Sequence, residues 1–136
     1  MTLRDATKTA TRLPAQDLDR ARAFYAEKLG LEPADERPGG ILYRVGDTEF
    51  ALFASGGRAT GDHTQMGFEV EDLEAAVAEL RGRGLELLTF DVPGFEMRDG
   101  IVEVPGNYPS KGTGERAVWF RDCEGNLLGI GQPVRG

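Results

Sequence analysis

Few side chains in this sequence are suited to acid, base or metal chemistry. The one histidine, His63, would need Glu69 or Glu103 as a partner to make even a partial metal or proton-transfer set. A single histidine at the end of a loop requires no such arrangement, and the sequence favours that plainer reading. The one cysteine, Cys123, excludes an internal disulfide and any all-cysteine zinc site. Its neighbours Asp122 and Glu124 are expected to raise its pKa, which describes a turn residue and not an activated thiol. Glu32, Asp35 and Glu36 sit beside Pro33 and Pro38, the pattern of a solvated turn. Gly112-Thr113-Gly114 lacks the order of a phosphate-binding loop, and nothing resembles a strained nucleophile elbow. The residue types therefore name no catalytic group.

The elements that would position a site repeat. Gln16-Asp17-Leu18-Asp19-Arg20-Ala21 is echoed by Glu71-Asp72-Leu73-Glu74-Ala75-Ala76, 55 positions later. Asp17 and Asp72 are suited to cap helices, because a short carboxylate accepts from unpaired first-turn amides and complements the helix dipole. Leu18, Ala21, Tyr25 and Leu29 form one apolar stripe, and Leu73, Ala76, Val77 and Leu80 a second. Gly30 and Gly84 end the two helices.

Extended runs precede each helix, at 9–15 and 64–70. In the second, Met66, Phe68 and Val70 alternate with Gln65, Gly67 and Glu69, so the first set should face the helix and the second the opposite side. Strand-like segments follow at 31–33, 41–45 and 48–54, and again at 85–90, 117–121 and 126–131, with tight turns at Gly46-Asp47 and at Asp122 to Gly125. The prediction is one α+β domain over 1–136 built from two βαβββ modules, about 8–56 and 63–133, with a curved, barrel-like mixed sheet and helices outside. Gly30 to Leu52 spans 22 positions but Gly84 to Gly129 spans 45. The excess falls in 91–116, a Gly- and Pro-rich stretch carrying Phe95, Met97, Tyr108 and Lys111, and reads as a long loop covering the concave side of the sheet.

The segment from Asp17 through Arg20-Ala21-Arg22-Ala23-Phe24-Tyr25 to Leu31, and the segment Trp119-Phe120-Arg121-Asp122-Cys123-Glu124-Gly125-Asn126, resemble the vicinal oxygen chelate superfamily of glyoxalases, extradiol dioxygenases and bleomycin-resistance proteins. Cysteine stands where that family's hairpin usually has proline. The resemblance implies metal ligands on the first, fourth, fifth and eighth strands. Counting from the helix starts and hairpins places those positions at Ala10, Leu52, Gln65 and Gly129, none a good ligand. No metal or other cofactor is expected. Arg12, two residues beyond Ala10, should share the concave face and either hold an anionic or carbonyl group or pair with Glu69.

The implied function is metal-independent binding of a bulky, partly apolar small molecule, of the bleomycin-resistance kind. The expected contacts are Arg12, Phe50, Leu52, Gln65, Gly67, Glu69, Phe95, Tyr108, Trp119 and Phe120. Because neighbouring strand residues face opposite ways, either Trp119 or Phe120 must be core. The alternative is a glyoxalase-like lyase or dioxygenase, or metal-free acid/base work by Glu69 or Glu103. A net charge of −7 disfavours nucleic acid and favours attraction of cationic small molecules. With no apolar span of membrane length and no signal-like start, the expectation is a cytoplasmic protein, and the resemblance implies a homodimer.

Overall fold

The computed structural model describes residues 2–89, 97–105 and 113–134. After a short 3-10 turn at Leu3–Asp5, the first module runs β1 (Thr11–Ala15), α1 (Leu18–Leu29), β2 (Asp35–Arg37), β3 (Gly40–Val45) and β4 (Thr48–Ala54). The second runs β5 (Met66–Glu69), α2 (Leu73–Gly82), β6 (Met97–Arg98), β7 (Ile101–Pro105), β8 (Gly114–Arg121) and β9 (Leu127–Val134). The strands form two mixed sheets of order β1-β4-β3-β2 and β5-β9-β8-β7-β6, so the two modules repeat one topology and the second adds β6 at its edge. In each, the strand before the helix lies parallel to the last strand of the module, and the remaining pairs are antiparallel.

Both predicted caps form. The Asp17 carboxylate accepts from the Arg20 amide at 3.0 Å, and that of Asp72 from the Ala75 amide at 3.1 Å. Each such cap stabilises its helix by about 1 kcal/mol. Gly30 and Gly84 take left-handed φ values of 70° and 86°, which a side chain would resist. The two helix ends also cap one another. Lys28 Nζ donates to the Gly84 carbonyl and Arg83 Nη1 to the Glu27 carbonyl, both at 3.5 Å, placing cations against two negative dipole ends.

A single core joins the modules. Tyr25 of α1 stacks on Tyr43 with centroids 5.2 Å apart, Tyr43 stacks on Phe50 at 5.1 Å, and Phe50 meets Phe68 of the second sheet edge-on at 5.9 Å. Leu13, Ile41, Leu52, Leu73, Val118, Phe120 and Leu128 fill the space around this ladder. Where the turn between β8 and β9 reaches α1, the contact becomes polar and buried. Tyr25 Oη donates to Asp122 Oδ2 at 2.7 Å, and Asn126 Nδ2 donates both to Asp122 Oδ2 at 2.9 Å and to the Pro14 carbonyl at 3.0 Å. Glu124 accepts from the Gln16 amide at 2.6 Å and from Arg20 Nη2 at 2.7 Å.

The strand boundaries differ from expectation in three places. Residues 31–33 form no strand; the first module instead uses exposed Asp35–Arg37 as an edge, so Asp35 and Glu36 belong to a strand and not a turn. Residues 85–89 form no regular strand, although the Leu88 amide donates to the Trp119 carbonyl at 2.8 Å. The stretch 91–116 is not one loop, because β6 and β7 fold back as a hairpin within it. Asp99 and Gly100, with φ of 54° and 83°, make its turn, and Asp-Gly between alternating residues is the strongest short signal for such a hairpin. Phe95, Tyr108 and Lys111 lie outside the described residues.

Burial, and next the charge of Asp122, hold the Tyr25 phenol far above its ordinary value of 10.0. Above about pH 10 the unfolded phenol loses its proton while the native one keeps it, so stability falls as pH rises. Tyr25→Phe should cost about 1–2 kcal/mol near neutrality and flatten this alkaline decline, as read by urea denaturation across pH. An unchanged alkaline slope in the variant would remove Tyr25 as its source.

Candidate functional site

Each sheet has one face against the core and one face open, and the strand register fixes which residues line the open side. In the first sheet Arg12, Ala51 and Leu42 stand side by side across β1, β4 and β3, while Leu13, Leu52 and Ile41 stand beside one another facing the core. The open side holds a cavity of about 450 Å³ lined by Lys8, Ala10, Arg12, Arg37, Ala51 and Phe53 among others. Its rim charges are mostly paired. Glu49 bonds Lys8 at 2.8 Å and Arg44 at 2.7 Å, contacts that hold its carboxyl below the usual range, and Arg37 meets Asp35 at 3.3 Å. Arg12 is exposed and, among the described residues, forms no ion pair with Glu69 or any other acid. The two options left open for Arg12 thus reduce to a guanidinium available above a small apolar floor.

The second sheet repeats the geometry with different residues. Gly67, Gly129 and Trp119 stand abreast across β5, β9 and β8, followed by Glu69, Gly131 and Ala117. They line a cavity of about 250 Å³ together with Thr64 and Glu115. Trp119 Nε1 donates to Thr64 Oγ1 at 2.9 Å, which fixes the plane of the indole. Glu115 lies over Gly131, in the space a Cβ there would take.

The expected contact residues divide accordingly. Arg12, Phe50 and Leu52 are among the residues bordering the first cavity, and Gly67, Glu69 and Trp119 line the second. Leu52 and Phe120 are 0% exposed and Phe50 is buried, all on the core side. These three side chains join the core cluster, and because residues alternate along a strand, the β4 residue that stands beside Arg12 on the open side is Ala51. Phe120, not Trp119, is the core member of its pair. Gln65 is engaged at both ends, Nε2 donating to Asn126 Oδ1 at 2.9 Å and Oε1 accepting from the Leu127 amide at 3.0 Å. Its role is to tie the start of β5 to the hairpin. Phe95 and Tyr108 fall outside the described residues. Ala51, Phe53, Thr64, Glu115 and Gly131 were not anticipated, although a two-residue period carried across the strand partners of Arg12 and Gly67 would have found all but Thr64.

The donor set does not suit a metal. The open-face positions are Ala10, Ala51, Gln65 and Gly129, and among the described residues no group of three or more His, Cys, Asp or Glu could hold an ion. His63 is exposed in the loop before β5. Cys123 lies half-buried in the hairpin, its thiol pushed up to about 11 by burial first and then by Asp122 and Glu124. Neither reactive residue lines either cavity. Among the described residues, no helix is long and apolar enough to cross a membrane.

The model of the glyoxalase/bleomycin resistance protein/dioxygenase superfamily matches residues 9–130. No curated protein matches the chain. Solved structures agree over nearly all of it. A bleomycin-binding protein complexed with bleomycin aligns with TM-score 0.66 at 20% identity, covering 95% of this chain and 100% of that one. TnmS3, an antibiotic binding protein from Streptomyces sp. CB03234, aligns with TM-score 0.65 at 22% identity over 95% and 98%. Lactoylglutathione lyase from Agrobacterium tumefaciens aligns with TM-score 0.58 at 22% identity over 93% of each chain.

The corrected face makes a direct prediction. Leu52→Ala should cost about 2–5 kcal/mol by opening the core. Arg12→Ala, which removes no ion pair, should change stability by no more than about 0.5 kcal/mol. Chemical denaturation of the two variants checks both, and a stable Leu52→Ala protein would return that residue to the open face.

Proposed function

The chain belongs to the glyoxalase/bleomycin resistance protein/dioxygenase superfamily, and we propose that it is a metal-independent binding protein that sequesters a bulky, partly apolar small molecule on its open sheet faces. The observation that carries this reading is the residue set of those faces. Where metal-dependent chemistry would need carboxylates or imidazoles, the faces present Ala10, Ala51, Gln65 and Gly129, and they border cavities floored by small and apolar residues. Burying a ligand's apolar surface there contributes roughly 25 cal/mol per Å², and Arg12 offers a charge-assisted bond to an anionic or carbonyl group. Catalysis through a polarising ion needs side chains that hold the ion against the substrate, and these four positions offer none of the required charge. That two structural relatives are described as binding bleomycin or an antibiotic supports the same class of ligand.

In this reading the protein works in the cytoplasm as a two-fold homodimer. Each open face is only half of an enclosed pocket, and pairing two copies would cover apolar surface that a lone chain leaves in water. The competing reading is a metal-free acid/base enzyme. The one observation in its favour is Glu69, a carboxylate on a cavity wall without a partner among the described residues.

Bleomycin at a hundred times its dissociation constant should stabilise the protein by about 2.7 kcal/mol, raising the melting midpoint by several degrees. Zinc, nickel, iron or manganese should leave the midpoint unchanged, and recovered ligand should be chemically intact by mass spectrometry. Light scattering should give a dimer at micromolar concentration. One tightly held ion per chain, lost on mutating Gln65 or His63, would overturn the metal-independent reading; modified ligand would favour the enzyme.

A further inference from the structure

We infer that the cavity on the first sheet is a site for an aryl carboxylate, with Arg12 holding the anion and the ring lying on the apolar strip beside it. This narrows the binding function proposed above and rests on it. The strand register lays the strip out. Arg12, Ala51, Leu42 and Asp35 stand abreast across β1, β4, β3 and β2, so the row spans three strand spacings, about 14 Å. Phe53 and Gly40 are partners in the next row, each two residues along its strand and so on the same face. Ala51, Leu42 and Phe53 are half-buried and border the cavity of about 450 Å³, which leaves space for a two-ring body between Arg12 and the β2 edge. A ring placed there buries apolar surface of its own and of these three side chains.

Charge decides which ligand the strip takes. Three cations border the cavity, and two of them are engaged, Lys8 with Glu49 at 2.8 Å and Arg37 with Asp35 at 3.3 Å. Glu49 also takes Arg44 at 2.7 Å, so both carboxylates of the rim are in use. Arg12 is the third cation, and among the described residues it meets no acid and donates no hydrogen bond. Its planar fork of N–H donors matches a carboxylate bidentately, and such charge-assisted pairs are about twice as strong as neutral ones. A cationic ligand would instead meet a guanidinium of like sign, with no uncommitted carboxylate to offset it. The second cavity has the opposite lining, Glu69 and Glu115 with no lysine or arginine, which directs an anion to the first face. The net charge of −7 opposes an anion at long range, but physiological salt screens exposed charges beyond about 8 Å and leaves the direct contact with Arg12.

The full chain would be titrated by calorimetry with 2-naphthoate, with 2-naphthamide as its neutral counterpart and with 2-naphthylmethylamine as a cation. Naphthoate should bind about tenfold more tightly than the amide, and the cation most weakly. Arg12→Ala should remove about tenfold of naphthoate affinity while sparing the amide. Arg12→Lys should fall between, because an ammonium keeps the charge but lacks the fork. Ala51→Phe, which fills the strip, should weaken all three probes, and Ala51→Leu serves should the larger ring disturb the strand. Arg58→Ala removes the same charge from an exposed residue that borders neither cavity, and it should leave naphthoate affinity unchanged. Naphthoate bound no more tightly than the amide, an Arg12→Ala protein with unchanged preference, or equal losses in Arg12→Ala and Arg58→Ala overturns the inference. Naphthyl probes that fail to bind while bleomycin raises the midpoint overturn it alone; failure of naphthyl probes and bleomycin together overturns the proposed function as well.

Discussion

The arrangement of both faces depends on a knot of buried polar groups where the turn after β8 meets the start of the first module. Asp122 is buried with one oxygen accepting from the Glu124 and Asn126 amides and the other from Tyr25 and the Asn126 side chain. Asn126, 0% exposed, continues the network to the Pro14 carbonyl, and Glu124 takes two amides and the Arg20 guanidinium at the head of α1. A buried carboxylate without such partners would cost several kcal/mol. Each acceptor here is therefore satisfied only when the second module's hairpin sits against the first module's helix in one orientation, which makes the knot a device for registration more than for adhesion.

Adhesion comes from the apolar ladder that starts at the same residue. Tyr25 contributes its hydroxyl to the knot and its ring to the stack through Tyr43 and Phe50 to Phe68. At the far end of α1, the exchange of Lys28 and Arg83 between helix termini adds a third, weaker tie. With both core-side faces consumed in joining the modules, the opposite faces are left open. The division between core side and open side is thus a division between alternate positions on the same strands.

That division explains what the sequence disclosed and what it concealed. The helices were legible because their determinants are local: a capping aspartate, an apolar stripe and a glycine able to take positive φ. The β8–β9 hairpin was legible for the same reason. The strand at Asp35–Arg37 was hidden because an exposed edge strand of charged residues carries no hydrophobic alternation. The β6–β7 hairpin did leave a signal, Asp99-Gly100, but it sat inside a Gly- and Pro-rich stretch that reads as loop. Leu52 shows the sharpest limit. Counting along a chain to a strand position tolerates an error of one residue in sequence, yet that error reverses the side of the sheet.

The same register bears on where larger side chains could fit on the open faces. At Ala10 and Ala51 a carboxylate would project into the first cavity, so packing alone does not dictate the small residues found there. Gly129 is different. A Cβ at that position would meet Trp119 Nε1 at 3.2 Å and Cδ1 at 3.4 Å, with Thr64 Cγ2 at 3.5 Å behind. The indole, held in place by its bond to Thr64, thus crowds the space that a ligating side chain on β9 would need. A side chain at 129 would therefore need the Trp119 ring to give by a few tenths of an ångström. The bond from Trp119 to Thr64 opposes that movement, so the ring that walls the second cavity also sets how large a side chain β9 can carry at this position.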